Sequence, residues 1–433
     1  MVIQDSFHIE TYGCTFNQGD SQLIRTYLKK IFREVEISQA EFIIINTCGV
    51  KAQTEHKIFA LIKNIHLEED QKLIISGCLP WIFDNNAKKI LQLNTNIVVI
   101  IDTDSIEDLT RLILKYQKTG KIMILSKNIK KQKQFTEIDG EGLTGIVPIG
   151  EGCVGNCSFC CTRTARGKVM NYSSDSILQN VANYIQSGRK EIYLTSQNCG
   201  IYRKSKNDLA DLLNLIRKKF ANDEFIIRVG MLEPSYLIKN VNKLLSVLKD
   251  HKFYNFVHIP IQSASNQVLR SMNRPYTKEN LIEIFEIISE TQDFSISTDI
   301  ICGFPSETTR DFLETMKFVE QFKPYIINIS KYTHRPGTAA RMMNQLKSET
   351  VKKRSKELSK IVKGYRGRIH KNYHNRILNC LINKYNPEKF YPYSGKTSNY
   401  MPVVLKKAKI NEFNSVKIVG STPNYLIGES FHD

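Results

Sequence analysis

The densest chemistry in this chain lies in Glu151-Gly-Cys-Val-Gly-Asn-Cys-Ser-Phe-Cys-Cys-Thr-Arg-Thr-Ala-Arg-Gly-Lys168. Cys153, Cys157 and Cys160 stand in a Cys-x3-Cys-x2-Cys pattern. Three thiolates on one short loop suit an iron–sulfur cluster. Three thiolates for four irons leave one iron without a protein ligand, free to bind a small molecule. Gly152 and Gly155 let such a loop wrap tightly and aim its amides at sulfides. Phe159, just before the last ligand, can shield the cluster from water. The competing reading is a zinc knuckle. Zinc sites pair two Cys-x2-Cys motifs or close a Cys/His tetrahedron, and neither a His nor a second such pair lies nearby.

The elements that position these thiols come next. In the first third, Phe7–Tyr12, Phe42–Ile45, Leu73–Ile75 and Asn96–Ile101 read as strands. Asp20–Lys30, Thr54–Ile65 and Asn86–Leu93 read as helices. Such alternation, with an unbroken apolar run at Phe42–Ile45, predicts a doubly wound parallel α/β domain. Cys14, Cys48 and Cys78 each follow one of the first three strands, flanked by turn formers. Ligand sites of open parallel sheets lie beyond the carboxyl ends of strands, so these three thiols are expected to meet at a second cluster.

Residues 127–140 form a polar, lysine-rich linker that is either a solvated spacer or an RNA contact. After it, strand signals at 145–150, 191–194, 225–229, 256–260, 295–301 and 325–332 alternate with helical ones. Six β/α units predict a partial barrel, with functional groups at the C-terminal strand ends. Polar residues gather there: Thr195–Asn198, Gln262-Ser263, Thr298-Asp299 and Ser330. Cys161, Cys199, Cys302 and Cys380 are read as buried thiols without a chemical role. A basic helix over Lys347–Arg368 then leads to short strands at 376–382, 396–405, 415–419 and 425–427, the pattern of a small β-barrel.

Composition narrows the class. The 433 residues are 41% hydrophobic and 24% charged, as in an ordinary globular chain with several domains. No apolar run approaches the roughly 20 residues that span a bilayer, and the start is not patterned as a signal peptide. A cytoplasmic setting is expected, where ten Cys serve as ligands or buried thiols rather than disulfides. A net charge of +18 points to a polyanionic partner.

The Cys153 loop, with an aromatic before its third Cys, resembles the radical SAM superfamily. Thr11-Tyr-Gly-Cys-Thr-Phe-Asn-Gln-Gly-Asp20, Asn46-Thr-Cys-Gly-Val50 and Ser76-Gly-Cys-Leu-Pro80 resemble the cysteine motifs of the methylthiotransferase N-terminal domain. Gly395–Val404 and Thr422–Gly428 resemble the TRAM domain of the same family, an RNA-binding barrel. The resemblance implies an N-terminal domain over 1–126, a linker over 127–140, a radical SAM core over 141–368 and a TRAM domain over 369–433. It implies two 4Fe–4S clusters, the auxiliary one on Cys14, Cys48 and Cys78, and S-adenosylmethionine on the open iron of the other. Phe159, Gln197, Gln262, Ser263 and Asp299 fall where radical SAM enzymes hold that cofactor. Lys396 and Tyr400, with Tyr391 and Tyr393, are expected either to stack and pair with RNA or to cap the barrel. Gly303-Phe-Pro-Ser-Glu307 and Gln262-Ser-Ala-Ser265 depart from the family pattern, with Ser306 and Ala264 standing where it has Gly.

Cys160-Cys-Thr-Arg-Thr-Ala-Arg-Gly167 resembles the archaeal and eukaryotic branch, which acts on N6-threonylcarbamoyladenosine beside the tRNA anticodon. The resemblance implies that one S-adenosylmethionine methylates a sulfur of the auxiliary cluster. A second is cleaved to a deoxyadenosyl radical that takes the hydrogen from carbon 2 of adenine. An external electron donor and a sulfur source are implied as well. The alternatives are the isopentenyladenosine branch, whose motif has Pro where Ala165 stands here, a methylthiotransferase of a ribosomal protein, and a zinc-containing RNA-binding protein without catalysis.

Overall fold

The computed structural model describes residues 3–50, 52–83, 85–126, Lys133 and 142–431. The first sheet contains β1 (Ile3–Tyr12), β2 (Arg33–Glu34), β3 (Ala40–Thr47), β4 (Lys72–Gly77), β5 (Ile97–Ile101) and β6 (Met123–Leu125). Its order is β2-β1-β3-β4-β5-β6, and every pair is parallel. Helices cover both faces, which is why Phe42-Ile-Ile-Ile45 has no polar alternation: all four side chains are buried. Helix Leu109–Thr119 buries Leu109, Leu112 and Ile113, the one-face spacing of an amphipathic helix.

The central part begins with β7 (Thr144–Pro148) and a short hairpin of β8 (Gly150–Glu151) and β9 (Met170–Asn171). The main strands continue with β10 (Glu191–Thr195), then a small hairpin of β11 (Arg203–Lys204) and β12 (Asn207–Asp208), then β13 (Ile226–Val229), β14 (Phe256–His258), β15 (Ser295–Cys302) and β16 (Ile326–Lys331). Two parallel three-stranded sheets, β7-β10-β13 and β14-β15-β16, are joined by single bridges at Ile227–Phe253 and Met231–His258. The result is the six-unit open barrel expected from the sequence. Thr277 and Thr308 start the helices after β14 and β15 with reciprocal caps to Asn280 and Asp311.

The C-terminal strands β17 (Ile377–Tyr385), β18 (Tyr393–Thr397), β19 (Pro402–Leu405), β20 (Glu412–Ser421) and β21 (Leu426–Ser430) close a barrel in the order β17-β18-β19-β21-β20. It seats on the amino-terminal ends of the central strands. Asn255 N–H donates to the Ser398 carbonyl at 2.9 Å, and the Tyr400 ring lies 4.4 Å from that of Phe256. The small barrel therefore plugs the end opposite the cysteine loop.

One hydrophobic cluster runs from Phe7 and Ile44 of the first sheet and Leu23 of helix Thr15–Leu28 into Val147, Ile192 and Ile227 of the open barrel. The first two units thus share a core. The linker over 127–140 lies outside the described residues apart from Lys133. Lys133 is buried and faces inward, not toward RNA. Among the described residues no helix is long and apolar enough to cross a membrane.

Candidate functional site

Parallel pairing brings the ends of β1, β3 and β4 side by side, and Cys14, Cys48 and Cys78 follow directly. Gly77 has φ +96°, and a Cβ there would lie 2.3 Å from the Thr47 carbonyl oxygen. The absence of that Cβ lets the Cys78 amide donate to Thr47 O at 2.8 Å, which fixes two of the thiol loops together. The third is tied by a buried amide pair: Asn17 Nδ2 donates to Asn46 Oδ1 at 3.2 Å and Asn46 Nδ2 to Asn17 O at 2.8 Å. Burial pushes the Cys48 thiol up, and burial pushes Cys78 up to about 12, with Arg166 pulling against it and Cys48 and Cys14 adding to it. The charges of Cys14 and Cys48 act on Cys78, and that of Cys14 acts on Cys48. Iron bound there must displace protons.

The second set of thiols rides on the turn between β8 and β9. Gly152 has φ +83°, and its N–H donates to Gln197 Oε1 at 2.6 Å. The Cys153 N–H donates to Gly167 O at 3.2 Å. Gly155 N–H donates to Cys153 Sγ at 3.2 Å. A Cβ on Gly155 would lie 3.2 Å from Cys153 Sγ and 3.6 Å from Cys157 Sγ, so the loop leaves a cradle between two sulfurs that only glycine keeps open. Cys153, Cys157 and Cys160 line a 410 Å³ cavity together with Phe159, Gln197 and Gln262. Phe159 packs edge-on against Phe304, with ring centroids 6.3 Å apart. A donor set of three sulfurs around a glycine-floored cradle, open to a cavity of this size, fits a cluster with one free iron and a small ligand upon it.

Two residues of this cavity had no distinct signal in the sequence. Glu233 caps helix Pro234–Leu248, accepting from the Ser235 amide. Its Oε1 is buried without a hydrogen bond among the described residues, 3.8 Å from Arg274. Arg274 donates to Cys157 Sγ at 3.0 Å and to the Pro260 carbonyl at 3.1 Å. Burial works against that guanidinium, but Tyr276, Cys157 and Glu233 outweigh it and hold its pKa above the ordinary value.

Four expected site residues lie elsewhere. Ser263 is buried and bonds Thr315 Oγ1 at 3.2 Å, inside the support of the loop and off the cavity wall. Asp299 sits within the open barrel, 3.1 Å from His258 Nε2 and accepting from Asn328 Nδ2 at 2.7 Å. It is not among the cavity residues. Lys396 and Tyr400 turn toward the central strands. Lys396 Nζ lies 3.0 Å from Glu191 Oε1, and Tyr400 OH lies 2.8 Å from Tyr193 OH. Both are spent on docking the small barrel, because the buried Glu191 carboxylate needs a cation beside it. Elsewhere on that barrel Phe390, Lys406, Lys407 and Lys409 are exposed and Tyr391 is half-buried, and Tyr391 and the three lysines line a 660 Å³ groove. Ser306, in place of the family's Gly, adopts φ +65°, and Ala264 is fully buried.

The loop that carries Cys160 touches the loop of Cys78. Cys161 packs beside Cys78 and Ile82, while Cys199, Cys302 and Cys380 are buried as expected. Arg166 Nε donates to Cys78 Sγ at 3.1 Å across the boundary. Arg335 reaches the Gly49 carbonyl, next to Cys48, and pairs with Glu55. Among the described residues no three His, Cys, Asp or Glu side chains converge on a single-ion site.

Comparisons with known proteins agree with this geometry. Residues 147–319 match the Radical SAM superfamily, and residues 6–101 match Uncharacterized protein family UPF0004. The chain is 33% identical over 426 residues to a probable threonylcarbamoyladenosine tRNA methylthiotransferase of Archaeoglobus fulgidus, covering 97% of each chain. A Pyrococcus horikoshii protein of the same description is 32% identical, with 98% of each covered. The Mus musculus threonylcarbamoyladenosine tRNA methylthiotransferase is 30% identical over 84% of this chain and 63% of its own. Among solved structures, the radical S-adenosylmethionine methyltransferase TsrM of Kitasatospora setae, with cobalamin and a 4Fe–4S cluster bound, superimposes with a TM-score of 0.57. At 13% identity over 78% of this chain and 77% of that one, it shares the fold alone.

Proposed function

The chain belongs to the threonylcarbamoyladenosine tRNA methylthiotransferase family, and on that premise we propose that it converts N6-threonylcarbamoyladenosine beside the tRNA anticodon to its 2-methylthio derivative. We assign Cys153, Cys157 and Cys160 to the radical SAM 4Fe–4S cluster and Cys14, Cys48 and Cys78 to the auxiliary one. When bound, the clusters and S-adenosylmethionine supply the radical and sulfur chemistry. Residues 1–126, 141–368 and 369–433 are the units that carry these roles.

The chain's own residues hold and shield. Gln197 anchors the Gly152 amide and so the start of the cysteine loop. Gln262 lines the cavity where the nucleoside of the cofactor is to lie, and Glu233 presents a buried carboxylate oxygen suited to the methionyl ammonium. Phe159, backed by Phe304, keeps water from the sulfurs. A base stacked in an anticodon loop cannot enter such a site, so it has to swing out into the space between the two cysteine sets.

The observation that supports this reading is a contact between the two loops: Cys78, at a strand end of the first sheet, is hydrogen-bonded by Arg166 of the loop that carries Cys160. A single flipped base can then reach both. The net charge of +18 supports a polyanionic substrate, and we place the enzyme in the cytoplasm with its tRNA, an external electron donor and a sulfur source. The test is mass spectrometry of nucleosides from tRNA of cells with and without the protein. Loss of 2-methylthio-N6-threonylcarbamoyladenosine, with N6-threonylcarbamoyladenosine retained, is expected. An unchanged profile would overturn the substrate and direct attention to ribosomal proteins.

A further inference from the structure

Four charged side chains are buried where the first sheet meets the open barrel: Asp20, Lys133, Glu151 and Arg166, each at most 7% exposed. Charged residues are rarely that deep unless paired, and these are. Arg166 NH1 donates to Glu151 Oε1 and NH2 to Asp20 Oδ2, both at 2.6 Å. Lys133 bonds Asp20 and lies 3.2 Å from Glu151 Oε2. Both cations lie over the Phe16 ring, Arg166 at 4.6 Å and Lys133 at 5.0 Å. Two positive and two negative groups cancel, so the quartet is neutral as a set.

That set leaves one donor of the guanidinium pointing elsewhere. Arg166 Nε donates to Cys78 Sγ at 3.1 Å. A guanidinium is a rigid planar fork, so two carboxylates on its far nitrogens fix the direction of the third N–H. Arg166 also ends the short helix Thr162–Arg166 that follows Cys160. Glu151 lies two residues before Cys153, and Gly167, next to Arg166, accepts from the Cys153 amide. One side chain therefore ties the loop of Cys153, Cys157 and Cys160 to a sulfur of the Cys14, Cys48 and Cys78 set.

We propose that Arg166 is the positioning residue of the auxiliary cluster: braced by Asp20 and Glu151, it holds Cys78 Sγ in a charge-assisted hydrogen bond and so sets that cluster's reduction potential. This rests on the assignment of Cys14, Cys48 and Cys78 as its ligands. Hydrogen bonds to ligand sulfurs and net charge nearby are the levers by which proteins move such potentials. A donor and a positive charge favour the more negative, reduced cluster. Removing the donor lowers the potential. Removing a brace's negative charge raises it.

The experiment uses the full chain carrying Cys153→Ala, Cys157→Ala and Cys160→Ala, so that only the auxiliary cluster is loaded, and follows its reduction by electron paramagnetic resonance during a potentiometric titration. If that parent binds no cluster, the ligand assignment itself fails. If it does, Arg166→Lys, which keeps the charge but cannot serve three partners at once, is expected to be about tenfold harder to reduce, or about 59 mV for a one-electron couple. Asp20→Asn is expected to shift the couple the opposite way. Opposite-signed shifts support the proposal. A loaded cluster with unchanged potentials, or shifts of one sign in both variants, overturns it. Should Arg166→Lys fail to load, Arg166→Gln, which removes both the charge and the fixed fork, takes its place, and a loaded cluster of unchanged or raised potential overturns the proposal.

Discussion

Lys396→Met separates a docking residue from an RNA contact. Lys396 Nζ lies 3.0 Å from Glu191 Oε1, with the two side chains 19% and 1% exposed. Glu191 also accepts from Thr144 Oγ1 at 2.7 Å, Tyr254 OH at 2.8 Å and Asn383. Removing one partner of a buried ion pair costs about 3–5 kcal/mol. The remaining donors put this case at the lower end, about 3 kcal/mol, or roughly 6–12 °C in a unit of this size. Several units are present, so the loss is best read locally, as faster hydrogen exchange in β17 and β18 alongside a lower first melting transition. The pH dependence gives the sign. Burial alone would raise the Glu191 pKa, but Lys396 and the hydroxyl donors outweigh it and hold it below the ordinary 4.5. The carboxylate's contribution is therefore present above the unfolded value and lost as pH falls through the lower folded one. Without Lys396 the burial is less opposed, the folded pKa rises, and protonation relieves the variant. The stability gap between the two proteins must then narrow between about pH 7 and pH 4. The salt dependence of tRNA binding should not change. A gap that widens on acidification refutes the electrostatic account. Unchanged stability with a salt slope smaller by about 0.9, the loss of one duplex phosphate contact, would return Lys396 to the RNA footprint.

Cys157→Ala should abolish cleavage of S-adenosylmethionine to deoxyadenosine, whereas Cys48→Ala should spare cleavage and stop sulfur insertion; product analysis of both variants distinguishes the two sets. Gly155→Ala puts a methyl group 3.2 Å and 3.6 Å from two ligand sulfurs, and iron analysis should find about four irons per chain rather than about eight, the auxiliary cluster being kept. Lys406→Glu, Lys407→Glu and Lys409→Glu together, on the exposed face beside Phe390, should weaken tRNA binding and flatten its salt slope by roughly two to three with the melting temperature unaltered. Ser306→Gly should stabilise the protein by roughly 0.5–1 kcal/mol in chemical denaturation, because a left-handed backbone costs a side chain about 1–2 kcal/mol and part of that returns as chain entropy.

How much of this was legible depended on whether chemistry and local pattern coincide. The placement of Cys14, Cys48 and Cys78 at neighbouring strand ends was readable because each follows an apolar strand, and parallel strands end on one side. Cys153, Cys157 and Cys160 were readable because their spacing is itself the site. The burial of Ser263 was not legible, because its neighbour Gln262 takes φ +65°, turning one side chain to the cavity and the next into the support; a polar pair at a strand end does not reveal which. The inward contacts of Lys396 and Tyr400 were hidden for a related reason. Both faces of a small barrel carry polar residues, and what turned them inward was Glu191, 205 residues away from Lys396. Arg166 stood inside the Cys160–Gly167 motif, but its bracing contacts left no trace there, since its partners Asp20 and Cys78 lie 146 and 88 residues distant. Charge arithmetic nevertheless connects the legible and the hidden parts. Asp20 and Glu151 cancel Lys133 and Arg166 in the interior, and Glu307 cancels Arg354. Neutral buried sets contribute nothing to the net charge of +18. The excess must then reside on accessible surface, as on Lys406, Lys407, Lys409 and the outer face of helix Ser348–Lys371, where a polyanion can reach it.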